Sequence, residues 1–359
     1  MKATYKRLIL DTTGLPVVTD DITKGYVIGD EWTYNDITYI CKDNTTDAAV
    51  WEKNSNVSEI TITKTGDFPI PMIPIPTLPA QGYYFNNVYY PPTGKCVGQM
   101  SLNGLNIPST LTSLEFDFTH SYSAISIYGY PLLNTIRFDM LELCTGGFTI
   151  GVASLLKLPA LTVFSALKLK ICGTIAFQYC DILPTIDFPE LECVTANIQP
   201  MSCINILSMN FPKLKYLLGS FNPNALTALT TINLSLLETI VGNINLSTLT
   251  ALTTFELLSI IHIGNGISLI SITPNITTFT LGANLKFIGG NIVITSAALN
   301  VASVNGLLAS FVALDGTNGT TLYGSGRTIT ITGTSAAPTG QGLIDKATLV
   351  ARGATVTTN

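Results

Sequence analysis

Three charged residues recur at one spacing and could carry chemistry. Glu192, Lys215 and Glu238 are each 23 residues apart. Two carboxylates that flank a glycosidic bond are the machinery of glycoside hydrolysis, which would make Glu192 and Glu238 a catalytic pair. If the spacing reflects stacked β coils, however, these carboxylates lie about 10 Å apart with a lysine between them. The pattern therefore predicts an exposed ladder of alternating charges, and we assign no catalytic residue.

The chain has seven cysteines and two histidines, whose side chains could bind a metal. Cys180 and Cys203 are 23 residues apart, and Leu226 and Leu249 continue the same spacing. A cysteine that alternates with leucine at one repeat position behaves as a small apolar core residue. The spacing predicts inward-facing thiols and leaves open a disulfide between neighbouring coils. No cysteine pair has zinc-site spacing, so we expect neither a metal nor another cofactor.

A repeat organises the middle of the chain. A frame L-x-x-φ-x-φ, in which φ is apolar, returns at spacings of 22, 28, 22, 23, 23, 23 and 24 residues. The frames begin at Leu111, Leu133, Leu161, Leu183, Ile206, Leu229, Leu252 and Ile276. A fixed period in this range is typical of a solenoid, in which each coil buries its apolar face against its neighbours.

Each period contains two segments in which apolar and polar residues alternate. The alternation has the two-residue period of a β-strand. Glycine, or alanine in one copy, separates the segments and predicts a tight corner with an unusual backbone angle. These corner positions are Gly147, Gly173, Ala196, Gly219, Gly242, Gly266 and Gly290. The pattern predicts a mainly β fold, with a β-solenoid over residues 101–300 and two stacked parallel sheets per coil.

The L-x-x-L-x-L frame is the strand core of leucine-rich repeats. The two-strand coil with a corner glycine resembles the leucine-rich β-solenoids of bacterial surface proteins and of receptor ligand-binding (L-type) domains. The asparagine that usually follows the strand is replaced here by apolar residues, namely Leu191, Leu214, Leu237 and Ile260. We therefore expect a leucine-rich-repeat-like coil without an asparagine ladder and without a helical outer face.

Composition narrows the classes of function. Charged residues make up 11% of the chain, and the net charge is −5. Because the chain has no basic cluster, we expect no nucleic-acid partner. The longest apolar run, residues 257–272, is interrupted by His262, Gly264, Asn265 and Gly266, which argues against membrane insertion. The first ten residues lack an apolar stretch of signal-peptide length, which disfavours secretion.

Residues 1–66 form a separate, more polar unit. Trp32, Tyr39 and Trp51 alternate with polar residues in short segments, as expected for the core of a small β module. The run from Asp20 to Trp51 contains D-D-x-T-x-G-Y, G-x-x-W, Y-x-C and A-A-V-W in that order, and it resembles a module of phage fibre and tail proteins. The resemblance implies virion attachment, with Trp32, Tyr39 and Trp51 as candidate docking residues.

Residues 67–100 join this unit to the solenoid. Five prolines between Pro69 and Pro79 favour a stiff extended segment, which is either a linker or a neck where several subunits pack together. The tyrosines that follow would either cap the first coil or bind a partner, because tyrosine combines an apolar face with a polar tip. The candidate surface-binding tyrosines are Tyr83, Tyr84, Tyr89, Tyr90, Tyr128 and Tyr130.

Residues 301–359 change period and predict an α/β cap. Helical spacing covers residues 302–314 and 343–352, whereas residues 328–332 and 354–357 alternate as strands. Such a cap would cover the open sheet edges at the end of the solenoid, which otherwise pair with other chains. The run from Ala337 to Asn359 resembles the terminal cap of leucine-rich-repeat proteins of phage virions.

Three functions are compatible with these features. The resemblances at both ends favour a phage virion structural protein, a head or tail fibre or knob whose solenoid binds the host surface or decorates the particle. It would be assembled in the host cytoplasm, contact other virion proteins through residues 1–66, and contact a host-surface glycan or protein. Phage fibres of this kind are often trimers, so we expect a homo-oligomer with a trimer favoured. The alternatives are a bacterial cell-surface leucine-rich adhesin and, with Glu192 and Glu238 catalytic, a tailspike depolymerase.

Overall fold

The computed structural model is mainly β, and its centre is a parallel β-solenoid of about ten turns, which confirms the expected fold class. The described residues are 31–34, 37–43, 50–53, 61–63, 73–74, 83–85, 88–90, 95–96, 100–103, 111–116, 118–152, 156–271 and 275–359. For the strands before Met100, the description covers the course of the backbone and its pairing.

The described N-terminal strands form two small antiparallel sheets and open the solenoid. Their bounds are β1 Glu31–Tyr34, β2 Ile37–Asp43, β3 Val50–Lys53, β4 Thr61–Thr63, β5 Ile73–Pro74, β6 Tyr83–Phe85, β7 Val88–Tyr90, β8 Lys95–Cys96 and β9 Met100–Asn103. The first sheet has the order β1-β2-β3-β4 and the second has the order β5-β6-β7. β8 and β9 belong to the first described coil of the solenoid.

The following coils are built from short strands that pair in parallel. Their bounds are β10 Ser113–Glu115, β11 His120–Ser121, β12 Ile125–Tyr128, β13 Thr135–Arg137, β14 Leu143–Ile150, β15 Val163–Ser165, β16 Ile171–Phe177, β17 Thr185–Asp187, β18 Cys193–Val194, β19 Ser208–Asn210, β20 Tyr216–Leu217, β21 Thr231–Asn233, β22 Thr239–Ile240, β23 Ile244–Ser247, β24 Thr254–Leu257, β25 His262–Ile263, β26 Ile267–Ser271, β27 Thr278–Leu281, β28 Phe287–Ile288 and β29 Ile292–Ile294. Each strand pairs with the equivalent strands one repeat before and one repeat after it. Ile136, for example, pairs with Leu114 and with Phe164.

These strands stack into three walls, which the chain visits in the order A, B and C. Wall A contains β10, β13, β15, β17, β19, β21, β24 and β27; wall B contains β8, β11, β18, β20, β22, β25 and β28; wall C contains β9, β12, β23, β26 and β29. β14 and β16 run round the corner from wall B into wall C. Between β16 and β23, wall C continues through isolated bridges at Ile198, Met201, Phe221 and Asn224.

Three walls per coil replace the two sheets that the alternation predicted. The extra wall is B, because residue pairs such as Tyr216 and Leu217 form strands of their own. Two residues are too few to show a period in a sequence, so the pattern does not reveal these strands. The apolar residues at the corner between walls A and B are fully buried; they are Leu191, Leu214, Leu237 and Ile260.

Phenylalanine rings pack against one another inside the coils. The rings of Phe188 and Phe211, in neighbouring coils, are stacked with centroids 5.9 Å apart. The rings of Phe255 and Phe279 have centroids 5.4 Å apart. Each such pair contributes about 0.5–1.5 kcal/mol beyond the area that it buries. Because these contacts join one coil to the next, a single coil has almost no core of its own.

The glycines between walls B and C are required for close contact and not for an unusual backbone angle. A Cβ at Gly219 would lie 2.4 Å from the Ala196 carbonyl oxygen, and one at Gly242 would lie 2.7 Å from the Gly219 carbonyl carbon. Both distances are shorter than Cβ atoms tolerate, so the neighbouring coil excludes a side chain. Among the corner glycines only Gly147 has a positive φ, 84°, and the prediction of an unusual angle is wrong for the others.

The unusual backbone angle occurs instead at the corner between walls C and A. Tyr179, Ser202, Ala225 and Thr248, in four successive coils, have φ values of 52°, 56°, 54° and 55°. A residue with a Cβ adopts this left-handed conformation at a cost of about 1–2 kcal/mol. The ladder between coils holds it there, since the Ser202 N–H donates to the Asn224 carbonyl oxygen at 3.0 Å.

Polar side-chain ladders contradict the expectation of a coil without an asparagine ladder. On wall A, Asn210 Nδ2 donates to Asp187 Oδ1 at 2.8 Å, and Asn233 Nδ2 donates to Asn210 Oδ1 at 2.7 Å. At the corner between walls B and C, the Ser220 N–H donates to Asn197 Oδ1 at 2.8 Å. The expectation was wrong because these asparagines lie within the strand or after the corner residue, outside the position that leucine-rich repeats use.

The chain ends in two helices and two strands. They are α1 Val301–Val312, β30 Thr328–Ile331, α2 Gln341–Ala351 and β31 Thr355–Thr358, each within two residues of the predicted segment. β30 pairs in parallel with β29, and β31 pairs in parallel with β30, so both strands extend wall C. α1 packs beside β27, at the place where another strand of wall A would lie.

Helix α1 closes the end of wall A. Its first turn is capped by Asn300, whose Oδ1 accepts from the Ser303 N–H at 2.8 Å. Ser303 Oγ in turn accepts from the N–H of Phe279 at 3.2 Å, on the last strand of wall A. A free N–H on an edge strand would otherwise be open to pairing with another chain.

The left-handed corner predicts an unusual response to glycine. We expect Ala225→Gly to stabilise the chain by up to about 1 kcal/mol, because the relief of the φ penalty exceeds the entropy that glycine loses. Ala228, three residues further, is also half-buried but has no positive φ, so Ala228→Gly should destabilise by about 0.5–1 kcal/mol. Urea unfolding of the two variants checks this. Equal destabilisation would contradict the left-handed assignment.

Candidate functional site

Wall C presents a set of carboxamide side chains to solvent. Gln199, Asn222 and Asn245 occupy the same outward position in three successive coils, as their backbone pairing shows. Gln178 and Asn224 occupy the next outward position along the strand, two coils apart. We call these five residues the amide face. Asn245 is exposed and the other four are half-buried.

The amide face lines an open groove of about 400 Å³. Met201, Pro223 and Ser247 complete its lining. None of the described strands of wall C contains a charged residue. The groove is therefore polar but uncharged.

The backbone of the amide face is tied into the ladder, but its side chains are not. The Asn222 N–H donates to the Ile198 carbonyl oxygen at 2.8 Å, and the Asn245 N–H donates to the Phe221 carbonyl oxygen at 2.9 Å. Within the described part of the chain, no carboxamide of the amide face makes a hydrogen bond, whereas that of Asn210 makes two. Each carboxamide offers two N–H donors and an acceptor oxygen, so this capacity is open to a ligand.

The two candidate tyrosines of the solenoid have different environments. Tyr128 lies on β12 in wall C, half-buried, with its hydroxyl 3.4 Å from Ser101 Oγ. The register places it in the column of Gln178, two coils earlier. Tyr130 is fully buried, so its prediction as a surface-binding residue is wrong. It occupies the inward corner position that Cys180 occupies in a later coil, which explains its burial.

The other candidate tyrosines lie on the hairpin of β6 and β7. Tyr83 pairs with Tyr90, and Tyr84 pairs with Tyr89, across the two antiparallel strands. β7 lies beside β10, the first strand of wall A. That position agrees with a cap on the first coil. The side chains of these tyrosines lie outside the described part, and their binding role stays a prediction.

The candidate docking residues lie on the first antiparallel sheet. The register pairs Trp32 with Tyr39 in β1 and β2, and it pairs Cys41 with Trp51 in β2 and β3. The prediction that these residues lie on short strands is confirmed. Their side chains are outside the described residues, so a role in docking stays a prediction.

Glu192, Lys215 and Glu238 lie on successive coils in one column, as predicted. The Lys215 N–H donates to the Glu192 carbonyl oxygen at 2.9 Å, and the Glu238 N–H donates to the Lys215 carbonyl oxygen at 3.0 Å. Earlier in the column, Lys170 Nζ lies 3.8 Å from Glu142 Oε2. The side chains of this pair are about half exposed, and such pairs contribute at most about 1 kcal/mol. The two carboxylates of Glu192 and Glu238 are two coils, about 10 Å, apart.

Wall B also exposes apolar side chains beside the charge ladder. Ile171, Tyr216, Leu218 and Val241 are 41%, 44%, 46% and 45% exposed, and we call them the apolar strip. Leu218 and Val241 occupy the same position in successive coils, because their N–H groups bond to Val194 and Leu217. The apolar strip is therefore a candidate interaction surface.

The five cysteines from Cys144 to Cys203 are free thiols. Cys144, Cys172, Cys180 and Cys203 are buried and Cys193 is half-buried, which confirms the inward position of Cys180 and Cys203. The Cys180 N–H donates to Cys203 Sγ at 3.4 Å. A hydrogen bond with Cys203, followed by burial, raises the pKa of Cys180 well above its usual value. Burial, followed by contact with Cys144, raises the pKa of Cys172 in the same way.

The described residues contain no group of three or more His, Cys, Asp or Glu side chains arranged to hold a metal ion. No helix among them is both long enough and apolar enough to span a bilayer.

The amide face was missed in the sequence although a signal for it is present. Gln199, Asn222 and Asn245 each lie three residues after a corner residue of the repeat. Alignment on the corner positions, and not on the leucine frame, places the three carboxamides in one column. The alignment does not show that the side chains of the amide face lack hydrogen-bond partners, because partnering depends on which residues the register places beside them.

Comparison with known proteins gives no match: no family model, no curated protein and no solved structure matches this chain. The function proposed below is therefore argued from the chain's own sequence and surfaces.

The thiol environments predict selective alkylation. We expect iodoacetamide at pH 8 to modify Cys193 in the native chain at least about tenfold faster than Cys172 and Cys180, because burial and a raised pKa keep those two thiols protonated. Burial also raises the pKa of Cys193, but its side chain is half-buried and accessible. Peptide mass mapping over time measures the rates. In denaturant the three rates should converge, and equal rates in the native chain would contradict the buried placement.

Proposed function

We propose that this chain is a structural and interaction protein of a phage particle, a head or tail fibre or knob that projects its solenoid toward the host surface. The observation that carries the proposal is the asymmetry of the solenoid. Helix α1 closes the last strand of wall A, whereas the outward faces of walls B and C stay accessible along the coils. A β rod whose wall A ends against a helix and whose sides are accessible suits a projecting element, because that edge of wall A does not pair with another chain.

The resemblances at the two ends support placement in a virion. The N-terminal run that ends at Trp51 resembles a module of phage fibre and tail proteins, and the run from Ala337 to Asn359 resembles a cap of phage leucine-rich-repeat proteins. In this proposal residues 1–66 contact other virion proteins, with Trp32, Tyr39 and Trp51 at the contact. The particle is assembled in the host cytoplasm.

The surfaces favour binding over catalysis. The column of Glu192, Lys215 and Glu238 is a ladder along the rod, in which Lys215 lies between two carboxylates that are two coils, about 10 Å, apart, at the upper end of the spacings of about 5–9.5 Å that glycoside hydrolysis uses. The amide face, in contrast, has open hydrogen-bonding capacity without a nucleophile. The solenoid therefore acts in this proposal by holding a host-surface molecule.

The apolar strip supports association of several copies. Its four side chains are each more than two-fifths exposed and lie beside alternating charges. Burying such a row against another subunit removes apolar surface from water, and the charges flank it with complementary partners. We propose a homo-oligomer, with a trimer favoured.

Localisation on the particle tests the proposed function. Antibody raised against the full-length chain should label purified phage particles in electron micrographs, at the head or at the tail, and excess purified chain should abolish the label. Envelopes of uninfected cells should stay unlabelled. Label on those envelopes and none on particles would instead indicate a bacterial adhesin. Release of oligosaccharides from host capsule, lost in Glu192→Gln or Glu238→Gln, would indicate a depolymerase.

The oligomeric state has its own test. Light scattering on the full-length chain should give about three times the protomer mass of 38.4 kDa. Leu218→Ser with Val241→Ser should weaken association at least about tenfold, because two exposed apolar side chains leave the interface. Asn284→Ala, at the corner between walls A and B, is the matched control. A monomer at all concentrations would contradict the proposal, and a trimer unaffected by the double change would exclude the apolar strip as its interface.

A further inference from the structure

We propose that the amide face of wall C binds an uncharged carbohydrate polymer. The inference rests on the proposed function, since it names the class of ligand that the projected surface takes. It assigns the binding to the groove lined by Gln178, Gln199, Asn222, Asn224 and Asn245.

The first argument is unused hydrogen-bonding capacity. The carboxamides of Asn197, Asn210, Asn233 and Asn243 are all bonded to a neighbouring coil. Those of the amide face make no hydrogen bond to another group of the described chain, although four of the five are half-buried. A half-buried carboxamide is already partly removed from water, so a ligand that supplies both donors and acceptors recovers bonds that the protein does not make. Sugar hydroxyls supply both.

The second argument is spacing. Coils of a parallel β structure are about 4.8 Å apart, and outward residues of one strand are about 7 Å apart. Gln199, Asn222 and Asn245 therefore present the same functional group three times along the rod. Such a row is complementary to a chain molecule whose hydroxyl groups recur, and a single small molecule would reach only part of it.

The third argument is the mixture of polar and apolar lining. Met201 and Pro223 lie between the carboxamides and form the apolar part of the groove's lining. A pyranose ring has the matching pattern, with hydroxyls at its rim and C–H groups on its faces. Ligand sites commonly combine a few polar groups with such apolar contacts, since the polar groups set orientation.

The fourth argument is charge. The described strands of wall C carry no charged residue, and the whole chain has a net charge of −5. An anionic polysaccharide would meet no cation in the groove and would be repelled by the protein's overall charge. The occupant is therefore a neutral glycan.

The test uses the full-length chain on an array of immobilised neutral and anionic oligosaccharides, followed by calorimetry on the best ligand. We expect retention by one or more neutral glycans and none by the anionic ones. Asn222→Ala and Asn245→Ala should each weaken binding about fivefold to tenfold, the effect of losing one or two hydrogen bonds. Asn284→Ala, an exposed asparagine away from wall C, should leave affinity unchanged.

Folding and function can be separated in this design. Neither substitution on the amide face removes an internal hydrogen bond, so thermal unfolding should be unchanged and a loss of binding then reports the groove itself. Retention of anionic glycans only, binding unaffected by both changes, or binding of host protein and no glycan would each overturn the inference. If antibody labels the particle while no neutral glycan binds, the inference fails and the proposed function stands. If a neutral glycan binds through the groove while no particle is labelled, the proposed function fails and the inference stands.

Discussion

Every coil of this solenoid must place its backbone N–H and C=O groups opposite those of the coils on either side. The column at the edge of wall B shows the constraint directly, since the N–H of Lys215 bonds to Glu192 and the carbonyl of Lys215 bonds to Glu238. A buried backbone group left without a partner costs about 1–3 kcal/mol, and each coil contains many such groups. The repeat length is therefore nearly constant within the walls, where β14 and β26 each hold a single extra residue. Larger insertions lie at corners, and the 28-residue coil that begins at Leu133 holds most of its extra residues between β14 and the next frame, at the corner between walls C and A.

The same constraint explains why the two corners use residues in opposite ways. Between walls B and C the coils approach so closely that Gly219 has no room for a Cβ beside Ala196. Between walls C and A there is room, and Ala225 and Thr248 accept a left-handed backbone that glycine would adopt without strain. The interstrand bonds on both sides of that corner hold the strained angle in place. At this corner the hydrogen bonds between coils therefore outweigh the preference of Ala225 and Thr248 for a negative φ.

The division between what the sequence predicted and what it did not follows from this geometry. Inward residues are apolar in nearly every coil, with the buried Ser121 as an exception, so the leucine frame marked the solenoid, and the change of period at its end marked α1 and α2 within two residues. Outward residues obey no such rule. Whether an asparagine is bonded, as Asn210 is, or free, as Asn222 is, depends on which residue the register places beside it. Tyr130 was misplaced for a related reason, because a tyrosine can occupy an inward corner position that other coils give to cysteine or leucine.

Asparagine side chains have different roles on wall A and on wall C. On wall A the neighbour of Asn210 in each direction is a polar side chain of matching length, so the carboxamides satisfy one another and stiffen the rod. On wall C the carboxamides of Asn222 and Asn245 stand one above the other without bonding, and the energy of those hydrogen bonds remains to be gained from outside. A repeated ligand can gain it several times along the rod, and linked weak contacts combine into a much stronger one when their spacing permits simultaneous engagement. Because the backbone ladder sets the spacing of the groups on wall C, the constraint that builds the fold also sets the period that the proposed ligand would have to match.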